Sequence, residues 1–249
     1  MANLVIDIGN TLTKFAIFDN DNLLHAEHFT NINADTLTNL LKEYPIKKAI
    51  ISSVKKDKDK EAWQHILQTK TQLTYFNAAM AIGIQNHYLT PQTLGLDRLA
   101  AVTGAKYLYP NKSNLVIDGG TCITYDYIDG EGNYFGGSIS PGLTMRYNAL
   151  NYFTSGLPVV KADGDFNDGY GNSTVSAMQS GVQNGIKYEL SGFIENYSKA
   201  GKQLNIILTG GDSIFFDTLL KNSIFAPYIK IEPQLVLKGL NAAIQQHND

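Results

Sequence analysis

The sequence predicts an α/β fold made of two similar domains, each carrying a mixed sheet flanked by helices. Three observations predict it. Residues 4–22 and 115–133 align without gaps at an offset of 111 and match at eight of nineteen positions. Each copy has a hairpin pattern: an apolar run ends at Asp, a Gly-containing turn follows, and a second strand leaves. Helix-period stretches separate further short apolar runs, as crossover connections require. The offset is too long for a solenoid, whose period is about 20–50 residues. The expected division is therefore 1–110 and 111–249.

The first copy opens with Leu4-Val5-Ile6-Asp7 and continues as a strand from Thr13 to Phe18, closed by Asp19-Asn20-Asp21-Asn22. A third strand is expected over Leu23–Thr30. Asp35–Glu43 reads as a helix, with Leu37, Leu40 and Leu41 on its apolar face and Asp35 or Thr36 as cap. Lys47–Val54 reads as a strand, Asp59–Thr69 as a helix, Thr71–Phe76 as a strand and Leu96–Tyr107 as a helix. The charged run from Lys55 to Glu61 is mixed in sign and reads as a solvated loop and helix start.

The second copy opens with Leu115-Val116-Ile117-Asp118 and returns from Ile123 to Ile128, closed by Asp129-Gly130-Glu131-Gly132-Asn133. A third strand is expected over Tyr134–Ser138, followed by a dense loop, Gly136-Gly137-Ser138-Ile139-Ser140-Pro141-Gly142, that reads as a close-approach element. Thr174–Ser198 reads as a long helical stretch, Asn205–Leu208 as a buried strand, Ser213–Lys221 as a helix and Leu235–Gln246 as the closing helix.

Composition narrows the function. Hydrophobic residues are 43% of the 249 and charged residues 17%, which argues against disorder. A net charge of −3 gives no support to nucleic-acid binding. Cys122 is the single cysteine, so no disulfide within the chain and no multi-cysteine zinc site is expected, and a cytoplasmic setting is. No apolar run approaches the roughly 20 residues of a membrane span, and the first residues lack a signal-peptide pattern. The five histidines are scattered and make no site. Of the 20 Lys and Arg only Arg98 and Arg146 are arginine, the residue suited to forked recognition of oxyanions.

The turn Asp7-Ile8-Gly9-Asn10-Thr11-Leu12-Thr13-Lys14 has the chemistry of a phosphate cradle. Gly9 permits unusual backbone geometry, a tight turn converges N–H groups, Asn10 and Thr11 add donors, and Lys14 adds a point charge. Asp7 suits a hydrated Mg²⁺. An ordinary hairpin explains this turn equally well by itself, but a second copy at Asp118-Gly119-Gly120-Thr121 favours a nucleotide held between domains. Thr209-Gly210-Gly211-Asp212 follows a third strand and is either an approach for base or ribose or a helix entry capped by Asp212 or Ser213. Gly95-Leu96-Asp97-Arg98 opens a helix, where a carboxylate stays ionised and suits a base, and an arginine suits a substrate anion. Arg146 is given no role. Neither a P-loop nor a dinucleotide fingerprint is present.

With these blocks, in this order, the sequence resembles the type III pantothenate kinases, a family of the acetate-and-sugar-kinase, actin and heat-shock-chaperone superfamily. The matching blocks are Asp7-Ile8-Gly9-Asn10-Thr11 with Lys14, Gly95-Leu96-Asp97-Arg98, Asp118-Gly119-Gly120-Thr121, Gly136 to Gly142, Thr174 to Gly181, and Thr209-Gly210-Gly211-Asp212.

The resemblance implies an actin-like fold with the nucleotide in the interdomain cleft, and ATP-dependent phosphorylation of pantothenate to 4′-phosphopantothenate in coenzyme A synthesis. It implies ATP contacts from Asp7, Ile8, Gly9, Asn10, Thr11, Leu12, Thr13, Lys14 and Thr121, with Mg²⁺. Asp97 would be the general base, and Tyr88, Gly95, Leu96, Asp97 and Arg98 would line the pantothenate pocket. Asp118 would help bind K⁺ or NH₄⁺, and Thr174 would reach the substrate of the neighbouring subunit of a homodimer. Leu96 and Cys122 stand where the family often has Ala. Another small-molecule kinase of the superfamily, or a regulatory protein on the same fold, are the alternatives.

Overall fold

The structure is a computed structural model describing residues 2–9, 11–30, 32, 34–53, 62–199 and 204–247. Asn10, the end of the expected strand at Val54 and the charged run 55–61 lie outside the described residues. The chain divides into two compact units: Met1–Pro110 with Gly132–Tyr134 and Gln234–Asp249, and Asn111–Glu131 with Phe135–Pro233.

The first unit is built on β1 (Ala2–Ile8), β2 (Thr13–Asp19), β3 (Asn22–Phe29), β4 (Ile46–Ser53) and β5 (Gln72–Tyr75), in the order β3-β2-β1-β4-β5. The hairpin strands β1, β2 and β3 pair antiparallel, whereas β4 and β5 join parallel after crossovers. Side chains alternate along a strand. Leu4, Ile6 and Ile8 of β1, Phe15 and Ile17 of β2, and Ala49 and Ile51 of β4 therefore share one face. That face buries them with Leu37 and Leu40 of α1 (Ala34–Glu43) and Trp63 and Leu67 of α2 (Ala62–Lys70).

The opposite face carries α3 (Leu96–Leu108) and the closing helix α8 (Leu235–Gln246), which pack on each other and on the sheet. Asn3, on that face, donates to Oδ1 of Asn241 at 3.1 Å, and Asn241 donates to the Asn20 carbonyl at 2.8 Å. The helices cross where both have glycine. A Cβ on Gly239 would strike the Ala100 carbonyl, and one on Gly104 would lie 2.6 Å from the Leu235 carbonyl. This backbone-to-backbone approach removes Leu235, Leu237 and Leu240 from water, and it is why α8 belongs to the first unit. The expected span 111–249 differs from this: packing, not chain order, assigns the last helix.

The second unit repeats the plan. Its sheet contains β7 (Ser113–Gly119), β8 (Cys122–Ile128), β9 (Asn133–Pro141), β10 (Leu204–Gly210) and β11 (Ile229–Ile231), in the order β9-β8-β7-β10-β11. That is the strand order of the first unit. A two-residue strand, β6 (Gln85–Asn86), pairs with Asn133 and Tyr134 at the start of β9. One face buries Leu115, Ile117, Ile123, Tyr125, Ile206 and Leu208 against α4 (Leu143–Tyr152), α5 (Thr174–Gln179), α6 (Gly185–Ser198) and α7 (Ser213–Leu220).

One expectation is corrected here, and two details are added. The glycine–proline stretch from Gly136 is not a loop but strand through Pro141, because Gly137 lets β9 lie against the Tyr125 carbonyl of β8. Thr174–Ser198 is helical throughout, with a five-residue π segment, Ser180–Asn184, between α5 and α6. There the buried Gln183 accepts from Tyr147 and from the Asp163 N–H and donates to the Asp163 carbonyl. The helix α4, with Leu143 and Tyr147 in the core, was not expected at all. Among the described residues no helix is long and apolar enough to cross a membrane.

Candidate active site

In the first unit the β1–β2 turn presents Gly9, Thr11 and Leu12, closed by a 3.1 Å bond from the Gly9 N–H to the Leu12 carbonyl. Gly9 does not adopt the positive φ that its type allows. It is constrained by space instead, since a Cβ would lie 3.0 Å from the Leu12 carbonyl. Ile8 points into the apolar core and offers the site only its backbone. Thr11 and Leu12 are exposed, and Thr13 is half-buried opposite Ile8.

Asp7 is buried at the end of β1 and pairs in register with Lys14 on β2 and Ser52 on β4. Strand alternation places all three on the sheet face away from Leu4 and Ile6. Sequence reasoning missed Ser52, because nothing local distinguishes it. Its hydroxyl is fully buried and makes no hydrogen bond among the described residues. Such a group costs about 1–3 kcal/mol unless a water or ligand satisfies it.

Gly95 precedes α3 with extended backbone, and Asp97 and Arg98 fill the first turn. The Arg98 N–H donates to Oδ1 of Asp97 at 2.8 Å. The second carboxylate oxygen makes no hydrogen bond among the described residues. A Cβ on Gly95 would fall on Oδ1, so the absent side chain leaves room for this carboxylate. The Arg98 side chain is buried, with its guanidinium carbon 5.8 Å from the Tyr88 ring centre, a cation–π distance. Leu96 is half-buried beside it. Tyr88, Gly95, Asp97 and Arg98 are thus one constellation.

In the second unit the β7–β8 turn holds Gly120 and the exposed Thr121. The gapless repeat breaks within it: Asp7 pairs with Lys14, but Asp118 pairs with Thr124, one residue earlier than the offset predicts. Thr209 of β10 flanks Asp118 on the other side, in register and buried. A carboxylate between two strand neighbours recurs in both units, but the cation occurs only in the first. The Asp118 carboxylate lies over Gly210, where a Cβ would strike it. Asp212 precedes α7 without a side-chain capping bond, while Ser213 bonds the Gly210 carbonyl. Burial raises the Asp212 carboxyl above its ordinary value. Cys122 is half-buried and free, and Thr174 is exposed in the first turn of α5.

Arg146, given no role by sequence, is half-buried and tied. Its Nε donates to the Pro141 carbonyl at 2.8 Å, and a terminal nitrogen donates to Oε2 of Glu189 at 2.6 Å. Oε1 of Glu189 accepts from Tyr125 at 2.7 Å and from Ser140 at 2.5 Å. Burial alone would raise the Glu189 carboxyl, but the bonds from Ser140, Arg146 and Tyr125 outweigh it and hold it below its ordinary value. Burial and the neighbouring Glu189 push the Tyr125 hydroxyl well above its usual range.

Two sheets of one strand order, each opening on an Asp-ended hairpin with a glycine turn, define the fold of actin-like ATPases and sugar kinases. Solved structures share it. A Campylobacter jejuni protein described as a Baf family transcriptional activator superposes with a TM-score of 0.60 at 20% identity, covering 98% of each chain. The activator of the 2-hydroxyisocaproyl-CoA dehydratase of Clostridium difficile, solved with bound ADPNP, gives 0.54 at 14% identity, covering 99% of this chain and 97% of that one. At such identities the likeness concerns the fold alone.

Sequence comparison goes further. The type III pantothenate kinase family model matches residues 3–196. Type III pantothenate kinases of Phocaeicola vulgatus and Bacteroides fragilis are 45% and 41% identical to this chain, covering 99% of it in each case and 99% and 98% of themselves. The chain belongs to the type III pantothenate kinase family, and is a kinase that uses ATP.

Proposed function

We propose that this kinase transfers the γ-phosphoryl group of ATP to the primary hydroxyl of pantothenate, giving 4′-phosphopantothenate for coenzyme A synthesis, with Asp97 as general base. The observation that carries this reading is the geometry of Asp97. One oxygen is fixed by the Arg98 N–H at a helix N-terminus, and the other makes no hydrogen bond among the described residues. A carboxylate held in this way is oriented and has an acceptor to offer the substrate hydroxyl. Arg98, with its guanidinium carbon 5.8 Å from the Tyr88 ring centre, receives the substrate carboxylate, and Gly95 and Leu96 complete the pocket wall.

The Asp7–Lys14 turn holds the ATP phosphates, with Lys14 supplying the cation and backbone N–H groups the cradle. Thr121 contacts the nucleotide from its own turn. The buried oxygens of Asp7 and Ser52 suit the water shell of Mg²⁺, which binds through water and carboxylate rather than in a protein cage. Mg²⁺ would neutralise charge developing on the transferred phosphoryl group. Asp118, between Thr124 and Thr209, offers the hard oxygen donors that suit K⁺. Thr174 reaches the substrate of the partner in a homodimer. A cytoplasmic setting accords with the single cysteine.

A substrate panel with coupled ADP detection tests the reaction. Pantothenate is expected to be turned over best, and faster turnover of acetate or a sugar would overturn the assignment. Asp97→Asn is expected to lower kcat by ~100- to 10,000-fold with the fold intact, and full activity would remove Asp97 from its role.

A further inference from the structure

We infer that Arg146 and Glu189 are positioning residues for the nucleotide, holding Thr121 in place through the backbone at Pro141 and Gly142. This rests on the reading of Thr121 as an ATP contact. Thr121 is exposed on a short turn, and a contact on such a turn is only as precise as its support. The support is the start of α4. The Gly142 N–H donates to the Thr121 carbonyl at 3.1 Å. The contact is tight, because a Cβ on Gly142 would strike the Gly120 carbonyl and lie 2.6 Å from that of Thr121.

Pro141 and Gly142 are fixed in turn by the guanidinium. Nε of Arg146 holds the Pro141 carbonyl while a terminal nitrogen reaches Glu189. Glu189 is the hub: it takes Arg146 on one oxygen and Tyr125 and Ser140 on the other, so α6 is tied to β8, β9 and α4 at one carboxylate. Two properties exclude a mere surface pair. Both side chains are mostly shielded, at 19% and 22% relative exposure. The arginine also acts in two directions at once, which its planar fork allows and a lysine ammonium does not.

The test compares Arg146→Lys and Arg146→Ala with the wild-type chain, measuring the KM values for ATP and pantothenate, ADPNP binding by calorimetry and thermal midpoints. Arg146→Lys keeps the charge opposite Glu189 but loses the simultaneous hold on Pro141. The ATP KM and the ADPNP dissociation constant are expected to rise about tenfold, the effect of one lost charge-assisted bond. The pantothenate KM should stay within about twofold. A lysine variant with wild-type ATP KM and ADPNP affinity would overturn the inference, even if its midpoint fell. Should Arg146→Ala not fold, the lysine variant decides alone. A wild-type chain that binds ADPNP but does not phosphorylate pantothenate would instead defeat the reading of the reaction, and the ADPNP arm would still decide the role of Arg146.

Discussion

The guanidinium carbon of Arg98 lies 5.8 Å from the centre of the Tyr88 ring, and the arginine is buried. The ring restrains a side chain that otherwise has many rotamers, so the fork is already ordered when an anion arrives. Arg98→Lys retains the charge but not the fork. It is expected to raise the KM for pantothenate about tenfold, with the KM for ATP unchanged. Tyr88→Phe keeps the ring face and should bind nearly as wild type, whereas Tyr88→Ala should share the lysine variant's defect. Steady-state kinetics on the three variants checks this, and an unchanged pantothenate KM in Arg98→Lys counts against the pocket.

Gly95 bears on the proposed base through space alone. Its φ of −60° and ψ of 129° suit any residue, so Gly95→Ala strains no backbone. The new methyl would occupy the place of Oδ1 of Asp97, and a carboxylate is free to rotate away. Displacement of a catalytic group by about 1 Å costs up to roughly 100-fold in rate. The variant is expected to keep its thermal midpoint while kcat falls by ten- to that ~100-fold. A midpoint loss with normal kcat would show that Gly95 serves packing only.

The hairpins, the crossovers and the pocket turn were legible because each is local. A run ending in Asp before glycine fixes a strand and its turn, and two copies at one offset disclose a duplicated plan, matched by the common strand order of the two sheets. Features set by distant partners were not legible. Nothing local marks the glycines at 104 and 239 as the place where two helix backbones meet. Gly136 and Gly137 suggest a loop because their tolerance as strand depends on β8. Ser52 looks like any polar strand residue, since only the parallel register brings it beside Asp7. Arg146 had no visible partner because Glu189 is 43 residues away.

Two glycines at the Thr121 turn should respond oppositely. Gly120 has no atom within 4 Å of a built Cβ and no positive φ, so Gly120→Ala should be tolerated in stability. Gly142→Ala drives a methyl into two backbone carbonyls, which cannot swing aside as a side chain does. Overpacking of this kind costs about 1–3 kcal/mol. In a chain of this size each kcal/mol lowers the midpoint by roughly 2–4 °C. Calorimetric scans of both variants check the contrast, and equal midpoints would refute it.

Alkaline stability follows from the buried tyrosines. Burial, with the charge of Asp163, pushes the Tyr147 hydroxyl from 10.0 up to about 12. Its hydroxyl donates to Gln183 at the π segment, a bond that the phenolate cannot make. Below pH 10 both folded and unfolded chains keep this proton, so the contribution is constant. Between about 10 and 12 the unfolded chain releases the proton while the folded chain retains it. Stability then falls by about 1.4 kcal/mol per pH unit for this group. Tyr125, also raised by burial and by Glu189, acts in the same direction. Tyr147→Phe removes one titrating group, at the cost of one hydrogen bond. Urea midpoints across that alkaline range should therefore decline less steeply in the variant than in the wild type, from a lower starting value. Parallel declines would mean that the Tyr147 proton is not linked to folding.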